Sequence, residues 1–450
     1  MKLRILVCGY GTVGRFLTHF LLEERGRILR RYNLDLELAG ILRRTEGAQT
    51  PSPFGVPVYF KAEEAIARVA PGLVVEVTGA IDEIVPLYEL AFERGADVVT
   101  ANKAVLAYHG RYLRDLARRF RRILLAEASV GGVVPILRTL HTSLAGDKFR
   151  KILGVWNGTC NYILTRMEAE GRTFDEILED AKKKGYAEPD PRLDIEGNDT
   201  AYKAIVLAQV AFDLDLHPGD LPFRGISEIV PEDFPIVRDL GFRPKMVGWL
   251  ERLPQGIQIY VGPALLPRDH PVAVLEGVTN GIYVEGEIGR GVFLSGRGAG
   301  PGPTTMAILG DIIEVARMRA RGEEISYWGD RDQRLNSQAL IPYRELSLPC
   351  YLRFHVLDRP GTLARIAGVL GDLGISIESM IQPIRHEINA VPIHLTTHSA
   401  PLYRIEEALA RIYPPLLERK RGSQLQLNLN PLSSPQEIST RPPFWMPILS

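Results

Sequence analysis

The sequence has few cysteines, no surplus of charge and no long apolar run, and each lack narrows the field. Cys8, Cys160 and Cys350 are its only cysteines. They are too far apart for a disulfide framework and lack the CxxC spacing of a zinc site. The 54 basic and 54 acidic residues cancel, so no nucleic-acid partner is expected. No stretch of about 18 apolar residues is present to span a bilayer, so no membrane partner is expected either. The chain enters an apolar strand at Leu3 without the apolar segment and cleavage site of a secretion signal, which makes the cytoplasm the expected location. What is there is 450 residues, 45% hydrophobic and 24% charged, the make-up of a globular protein of about three domains.

From Leu3 to about Leu137, short apolar runs alternate with amphipathic stretches such as Val13 to Glu24 and Arg111 to Phe120. That alternation predicts an α/β, doubly wound domain around a parallel sheet. From Ile136 to Pro303, strand-like pieces mix with helices, including the nearly all-apolar Thr200 to Phe212, and an α+β domain is expected. A third pattern begins at Cys350, where strand, Pro-Gly turn and amphipathic helix are followed by further strands and a helix. It fits a βαββαβ, ferredoxin-like unit. The expected boundaries are 1–135 with a return segment at 304–345, then 136–303 and 350–420. The last thirty residues show no sustained period and are expected to form an unordered tail.

Gly9-Tyr10-Gly11-Thr12-Val13-Gly14 follows a buried strand and opens a helix, the context in which GxGxxG signals a Rossmann-like dinucleotide site. Gly9 suits the tight turn, Gly11 lets the backbone approach a pyrophosphate, and Gly14 allows close helix packing. The next strand ends at Arg43 and Arg44, with no carboxylate to grip a ribose 2′-hydroxyl. Two guanidinium groups there favour the 2′-phosphate of NADP over NAD, the plain alternative being a solvated basic turn. Lys103, after the strand ending at Thr100, lies at the carboxyl edge of the sheet, where such folds place ligands.

The densest polar cluster runs from Gly185 to Asp199, through Glu188, Asp190 and Asp194, into the apolar helix that carries Lys203. Asp199 and Lys203 are spaced as an i,i+4 helix pair. Because that helix is apolar on most sides, the ammonium is expected in a cleft, where a lysine can take part in proton transfer. A buried structural pair is the alternative. Trp156 to Asn161 offers the side chains of Asn157 and Thr159 for fixing a small polar substrate. Cys160 has no evident histidine partner, which disfavours a thiol nucleophile.

Taken together and in this order, Gly9 to Gly14, Thr100 to Lys103, Asn157 to Asn161 and Gly185 to Lys203 resemble the homoserine dehydrogenase family over about residues 1 to 420. The resemblance implies NAD(P)H-dependent reduction of L-aspartate 4-semialdehyde to L-homoserine, on the route to threonine, methionine and isoleucine. It implies that Lys203 donates the proton and that Lys103 lies near nicotinamide and substrate. Glu188 and Asp199 would bind substrate, with Asp190 and Asp194 beside them, and Thr78, Gly185 and Gly300 would border the cofactor. Glu127, Val130, Gly132 and Val134 fall on the family's sodium loop, mostly as backbone ligands. The family implies a homodimer or homotetramer in which the α+β domain serves substrate binding and dimerisation. The absence of a kinase segment before Met1 suggests the monofunctional form.

Leu352 to Gln382 is similar to an ACT domain, which implies threonine as effector near Asp358 and Gly361. An aspartate before Pro-Gly also suits a plain turn. Two other readings share part of these features. Another dehydrogenase of a small amino acid has no reason to carry Gly185 to Lys203, and a non-catalytic nucleotide sensor leaves Glu188, Asp199 and Lys203 unexplained.

Overall fold

The computed structural model describes residues 1–44, 55–322, 339–383, 391–413 and 442–449. Six strands, β1 (Lys2–Cys8), β2 (Asp35–Leu42), β3 (Val58–Tyr59), β4 (Leu73–Glu76), β5 (Asp97–Thr100) and β6 (Leu124–Leu125), form a parallel sheet in the order 3-2-1-4-5-6. Helices α1 (Thr12–Glu23), α2 (Arg25–Tyr32), α3 (Ala62–Val69), α4 (Val85–Glu93) and α5 (Lys103–Arg119) accompany it. β4 and β5 are buried along their whole length, as strands covered on both faces must be, and valine pairs fill their centres. The order reverses between β1 and β4, and this opens the crevice in which such sheets bind ligands.

The middle of the chain builds an antiparallel sheet from β7 (Phe149–Val155), β8 (Phe242–Leu253), β9 (Gly256–Pro267), β10 (Thr279–Gly286) and β11 (Gly291–Arg297), in the order 11-10-7-8-9. Its helices are α6 (Ile136–His141), α7 (Gly158–Glu170), α8 (Phe174–Lys183), α9 (Arg192–Ile195), α10 (Asn198–Phe212) and α11 (Asp233–Asp239). α10 is buried at nearly every position, because an apolar surface all round must be covered all round. α12 (Pro301–Ala320) then returns to the first sheet and packs Ile308, Ile312 and Val315 into the same core as Ile5 and Val7. Among the described residues no helix is long and apolar enough to cross a membrane.

A two-stranded ribbon of β12 (Ser347–Leu348) and β16 (Ala400–Pro401) precedes and flanks the third unit. That unit has β13 (Cys350–Val356), α13 (Thr362–Asp372), β14 (Ile377–Ile381), β15 (Val391–Thr397), α14 (Leu402–Ile412) and β17 (Phe444–Pro447), with strand order 14-15-13-17 and antiparallel neighbours. Here the structure corrects the sequence reading of the tail. Among the described residues the fourth strand of the sheet is supplied not from within 350–420 but by residues 444–447, and all four are buried. The run is too short to register as a period, and the prolines before it read as breakers although they only precede the strand. Leu449 N also donates to Leu265 O of β9 at 2.9 Å, so this segment touches both antiparallel sheets. Residues 421–441 of the expected tail lie outside the described residues.

Candidate active site

The glycine turn after β1 is shaped partly by packing and partly by something else. A Cβ at Gly9 (φ +104°) would lie 2.8 Å from Val77 O, and one at Gly14 would lie 2.1 Å from Gly9 O, so the fold itself requires both. At Gly11, which caps α1, a Cβ would meet no protein atom within 4 Å. Packing does not require glycine there, whereas a phosphate approaching the helix N-terminus does, and the cradle fits a dinucleotide. Tyr10, Thr12 and Val13 complete the turn. The Arg43 guanidinium lies 4.2 Å from the centroid of the Tyr10 ring, which brings the end of β2 against the turn. Arg44 is exposed beside it.

At the carboxyl end of β4, sequence reasoning missed Glu76, which is fully buried. Its carboxylate accepts from Thr78 N at 2.6 Å, Thr78 Oγ1 at 2.7 Å, Tyr88 OH at 2.7 Å and Thr100 Oγ1 at 2.8 Å. Asn102, whose side chain accepts from Val105 N at 3.1 Å to cap α5, also donates from Nδ2 to Ala80 O at 2.6 Å. The loop 78–80 and the start of α5 are thereby fixed to one another. Lys103 is the first residue of α5.

Lys103 Nζ reaches Asp199 Oδ1 at 2.9 Å, and Lys203 Nζ reaches Asp199 Oδ2 at 2.6 Å. One carboxylate on the first turn of α10 therefore bridges two ammonium groups, one from each of two domains. Lys203 also donates to Trp156 O at 2.7 Å, just beyond β7. The side chain of Lys203 is 9% exposed and that of Lys103 is 38% exposed, so the arrangement opens on the Lys103 side. Burial alone would raise the Asp199 carboxyl, but the two lysines outweigh it and hold it well below the usual carboxylate range. Lys103 is raised by Asp199 against the opposing effect of burial, with Asp194 and Glu188 adding to the rise. Asp194 is raised by burial and by the neighbouring Asp199 charge.

Three of the expected substrate residues are engaged by protein partners. Asn157 Nδ2 donates to Asp194 Oδ1 at 2.7 Å and to Asp199 Oδ2 at 2.9 Å, while its Oδ1 accepts from Cys160 N at 2.8 Å. With both amide protons used, Asn157 orients the aspartates and caps α7. The Thr159 hydroxyl is shared between Tyr186 O at 2.8 Å and Asp194 Oδ2 at 3.0 Å. Asp190 is exposed and paired with Arg192 at 2.8 and 2.6 Å, so it is not gathered into the cluster. Glu188 is exposed beside it. Burial pushes the Cys160 thiol up, and its sulfur contacts Asp194 O at 3.2 Å, a setting without a nucleophile's activation.

Glu127 is buried. Its carboxylate accepts from Leu137 N at 2.9 Å and Arg138 N at 2.7 Å, anchoring the start of α6. Burial and then the neighbouring Asp311 push it up to about 8. Arg138 Nη2 meets Asp311 at 2.7 Å, which sets two carboxylates against one guanidinium. The loop through Val130, Gly132 and Val134 turns on Gly131 (φ +76°) and Gly132 (φ +60°). Hard oxygen donors of this kind suit a small cation. Among the described residues no group of three or more His, Cys, Asp or Glu is arranged for a metal.

Gly185 (φ +73°) ends the α8 segment, and Gly300 (φ +112°) precedes α12. Asp358 and Gly361 lie exposed before α13, where Gly361 (φ +86°) is the cap. Two further buried polar side chains carry no local sequence signal. Lys245 of β8 donates to Asn161 Oδ1 at 3.0 Å and also to Leu275 O. Asn280 of β10 donates to Trp156 O at 2.8 Å.

Residues 9–127 match the family model for the homoserine dehydrogenase NAD binding domain, 135–313 the homoserine dehydrogenase model, and 351–412 the ACT domain model. The homoserine dehydrogenase of Pseudomonas aeruginosa is 32% identical over 412 residues, covering 91% of this chain and 95% of its own. That of Mycobacterium tuberculosis is 34% identical over 386 residues, covering 84% and 86%. The crystal structure of a homoserine dehydrogenase from Thiobacillus denitrificans superposes with a TM-score of 0.86 at 27% identity, covering 100% of this chain and 98% of its own. A hyperthermophilic archaeal homoserine dehydrogenase in complex with NADPH superposes with a TM-score of 0.61 at 28% identity, covering 70% and 98%.

Proposed function

The chain belongs to the homoserine dehydrogenase family of NAD(P)-dependent oxidoreductases acting on CH–OH, and from that premise we propose how its residues divide the reaction. The reaction is the reduction of L-aspartate 4-semialdehyde to L-homoserine. When bound, the reduced cofactor supplies the hydride to the aldehyde carbon. Lys203 gives its proton to the carbonyl oxygen as negative charge develops there, and Asp199 and the Trp156 carbonyl hold the ammonium in place. Lys103, more open to solvent, keeps Asp199 ionised and lies beside the substrate. The observation that carries this reading is the single carboxylate bridging two lysines from two domains. Glu188 and Asp194 meet the polar end of the substrate.

NADP is the preferred dinucleotide, on the support of Arg43 and Arg44 at the end of β2, and NAD is the weaker alternative. Glu127 and the carbonyls of Val130, Gly132 and Val134 are the residues that would hold a sodium ion, whose charge would favour the ionised form of Glu127. We assign residues 1–135 and 304–322 to the nucleotide domain, 136–303 to substrate binding and 350–420 with 442–449 to the ACT domain; the end of the expected return segment 304–345 goes instead with substrate binding, because Ala339 O and Ile341 N hydrogen-bond to Ile257 of β9 at 2.9 and 2.8 Å. L-Threonine acts there near Asp358 and Gly361, in a cytoplasmic homodimer or homotetramer. Oxidation of L-homoserine, followed by the absorbance of the reduced nicotinamide with NADP and then NAD, is the test. Folded protein without turnover on either cofactor overturns the reading, and activity insensitive to L-threonine overturns the effector assignment.

A further inference from the structure

Lys203 is held from two sides, and only one of them is a charged group. The other is the carbonyl of Trp156, which accepts from Lys203 Nζ at 2.7 Å and from Asn280 Nδ2 at 2.8 Å. Both lone pairs of that oxygen are therefore committed. Trp156 is fully buried and lies between the end of β7 and the cap of α7, where the peptide is free of any strand ladder. Asn280 is the donor that fixes which way this carbonyl points.

Asn280 is a poor choice for stability alone. It is 1% exposed, and its Oδ1 is buried without a hydrogen-bond partner. An unsatisfied buried oxygen costs free energy that an apolar side chain of the same size would not, so its retention calls for a reason besides packing. The surroundings are also cut to fit this side chain. A Cβ at Gly298 would lie 1.8 Å from Asn280 Nδ2. Gly298 belongs to the glycine segment that leads into α12, and a Cβ at Gly132 would in turn lie 2.4 Å from Gly298 O. Asn280 is thus wedged between the carbonyl that orients Lys203 and a backbone segment that runs back to the nucleotide domain.

We propose that Asn280 is a positioning residue for the proton transfer: through the Trp156 carbonyl it fixes the Lys203 ammonium, and through its contact with Gly298 it ties that placement to the segment entering α12. The proposal rests on Lys203 being the proton donor. Misplacement of a catalytic group by about 1 Å costs on the order of a hundredfold in rate, so a residue that holds the Trp156 carbonyl can affect the rate through Lys203.

Asn280→Leu keeps the branched four-atom shape and removes the donor, leaving Trp156 O still bonded to Lys203. We expect kcat to fall about tenfold to a hundredfold, with NADPH affinity by fluorescence titration unchanged and Tm equal to or above the wild type. The solvent deuterium isotope effect on kcat should grow as proton transfer becomes slower. Gly298→Ala forces the same side chain aside, so the Asn280→Leu/Gly298→Ala double variant should be no slower than the slower single variant. If leucine is not accommodated, Asn280→Ala is read by the same measurements. Loss of Tm and kcat in parallel, or multiplicative effects of the two substitutions, overturns the proposal. Lys203→Met separates the two claims. If it keeps its kcat, the proton-donor reading fails; if it loses kcat while Asn280→Leu stays at the wild-type rate, only the role of Asn280 fails.

Discussion

Asp199 and Asp233 are both buried aspartates that close a seam between parts of the molecule, yet the groups around them differ in number and access. Asp199 faces two lysines from different domains, one of them open to solvent. Asp233, on α11, faces one guanidinium, that of Arg353 on β13, and accepts from Tyr351 OH at 2.6 Å; Tyr351 in turn meets His394 Nδ1 at 2.7 Å. Arg353 Nη2 also donates to Glu228 O at 3.0 Å. Burial would raise both carboxyls. At Asp199 two cations overturn that effect, whereas at Asp233 burial outweighs Arg353 and Tyr351 and the carboxyl is raised. A sealed one-to-one pair docks the third unit onto the second. A surplus cation with an open side leaves an ammonium that can act on something else.

The contrast breaks most visibly at the lysine. Lys203→Met is expected to lower kcat by about 10² to 10⁴ with little change in Tm, since Asp199 keeps Lys103; steady-state kinetics beside a thermal melt checks both. Arg353→Leu should do the reverse, costing about 3 to 5 kcal/mol of stability because Asp233 is left without a cation, with kcat intact in the folded protein. Urea unfolding measures it, and a loss below about 1 kcal/mol would mean the seam is held by its apolar contacts.

Arg43 and Arg44 extend the comparison to a third cationic spot, which should behave as the lysine site does. Replacing both by alanine is expected to weaken NADP binding by roughly 1.5 to 3 kcal/mol for each charge-assisted bond lost, leaving NAD binding nearly unchanged. Equal loss for both cofactors in a titration would assign the pair to loop structure.

The smallest effect is in the pH dependence of stability, where the two aspartates have opposite signs. The stabilisation from Asp199 is complete above the ordinary carboxyl value near 3.8 and is lost as pH falls through its lowered folded value. Asp233 binds its proton more tightly folded than unfolded, so its contribution declines as pH rises from near 3.8 through its raised value. Asp199→Asn should therefore flatten the acid fall in Tm, and Asp233→Asn should remove a decline with rising pH. Slopes of the same sign would show that one of the two environments is misjudged.

Much of this was legible in the residues because it is local. The Gly9 to Gly14 turn, the strand ends at Arg43 and Thr100, and the i,i+4 pair of Asp199 and Lys203 all declare themselves within a few positions. What stayed hidden depends on partners far along the chain. Asn157 reads as a free amide until Asp194 and Asp199 are brought against it. Asp190 reads as part of an acidic cluster, although the neighbouring Arg192 had already claimed it. Glu76 lies in an apolar run that gives no hint of the hydroxyls from Thr78, Tyr88 and Thr100 that surround it. Asn280 and Lys245 are single polar residues in strands, indistinguishable from solvent-facing ones until burial is known. β17 failed for a related reason, since a four-residue strand is recognised by the edge it covers.

During synthesis, β13 and α14 leave the ribosome well before Phe444 does, because the chain is made from its N-terminus. Until residues 444–447 emerge, β13 lacks the strand they supply, and an edge of that kind can recruit strands from other molecules. The completed sheet buries Phe444, Trp445 and Met446, and Arg224 donates to Trp445 O at 2.9 Å. A nascent chain stalled short of Phe444 would therefore carry a finished nucleotide-binding sheet beside an adhesive, unfinished one, and yield of soluble protein would depend on how promptly its last stretch is translated.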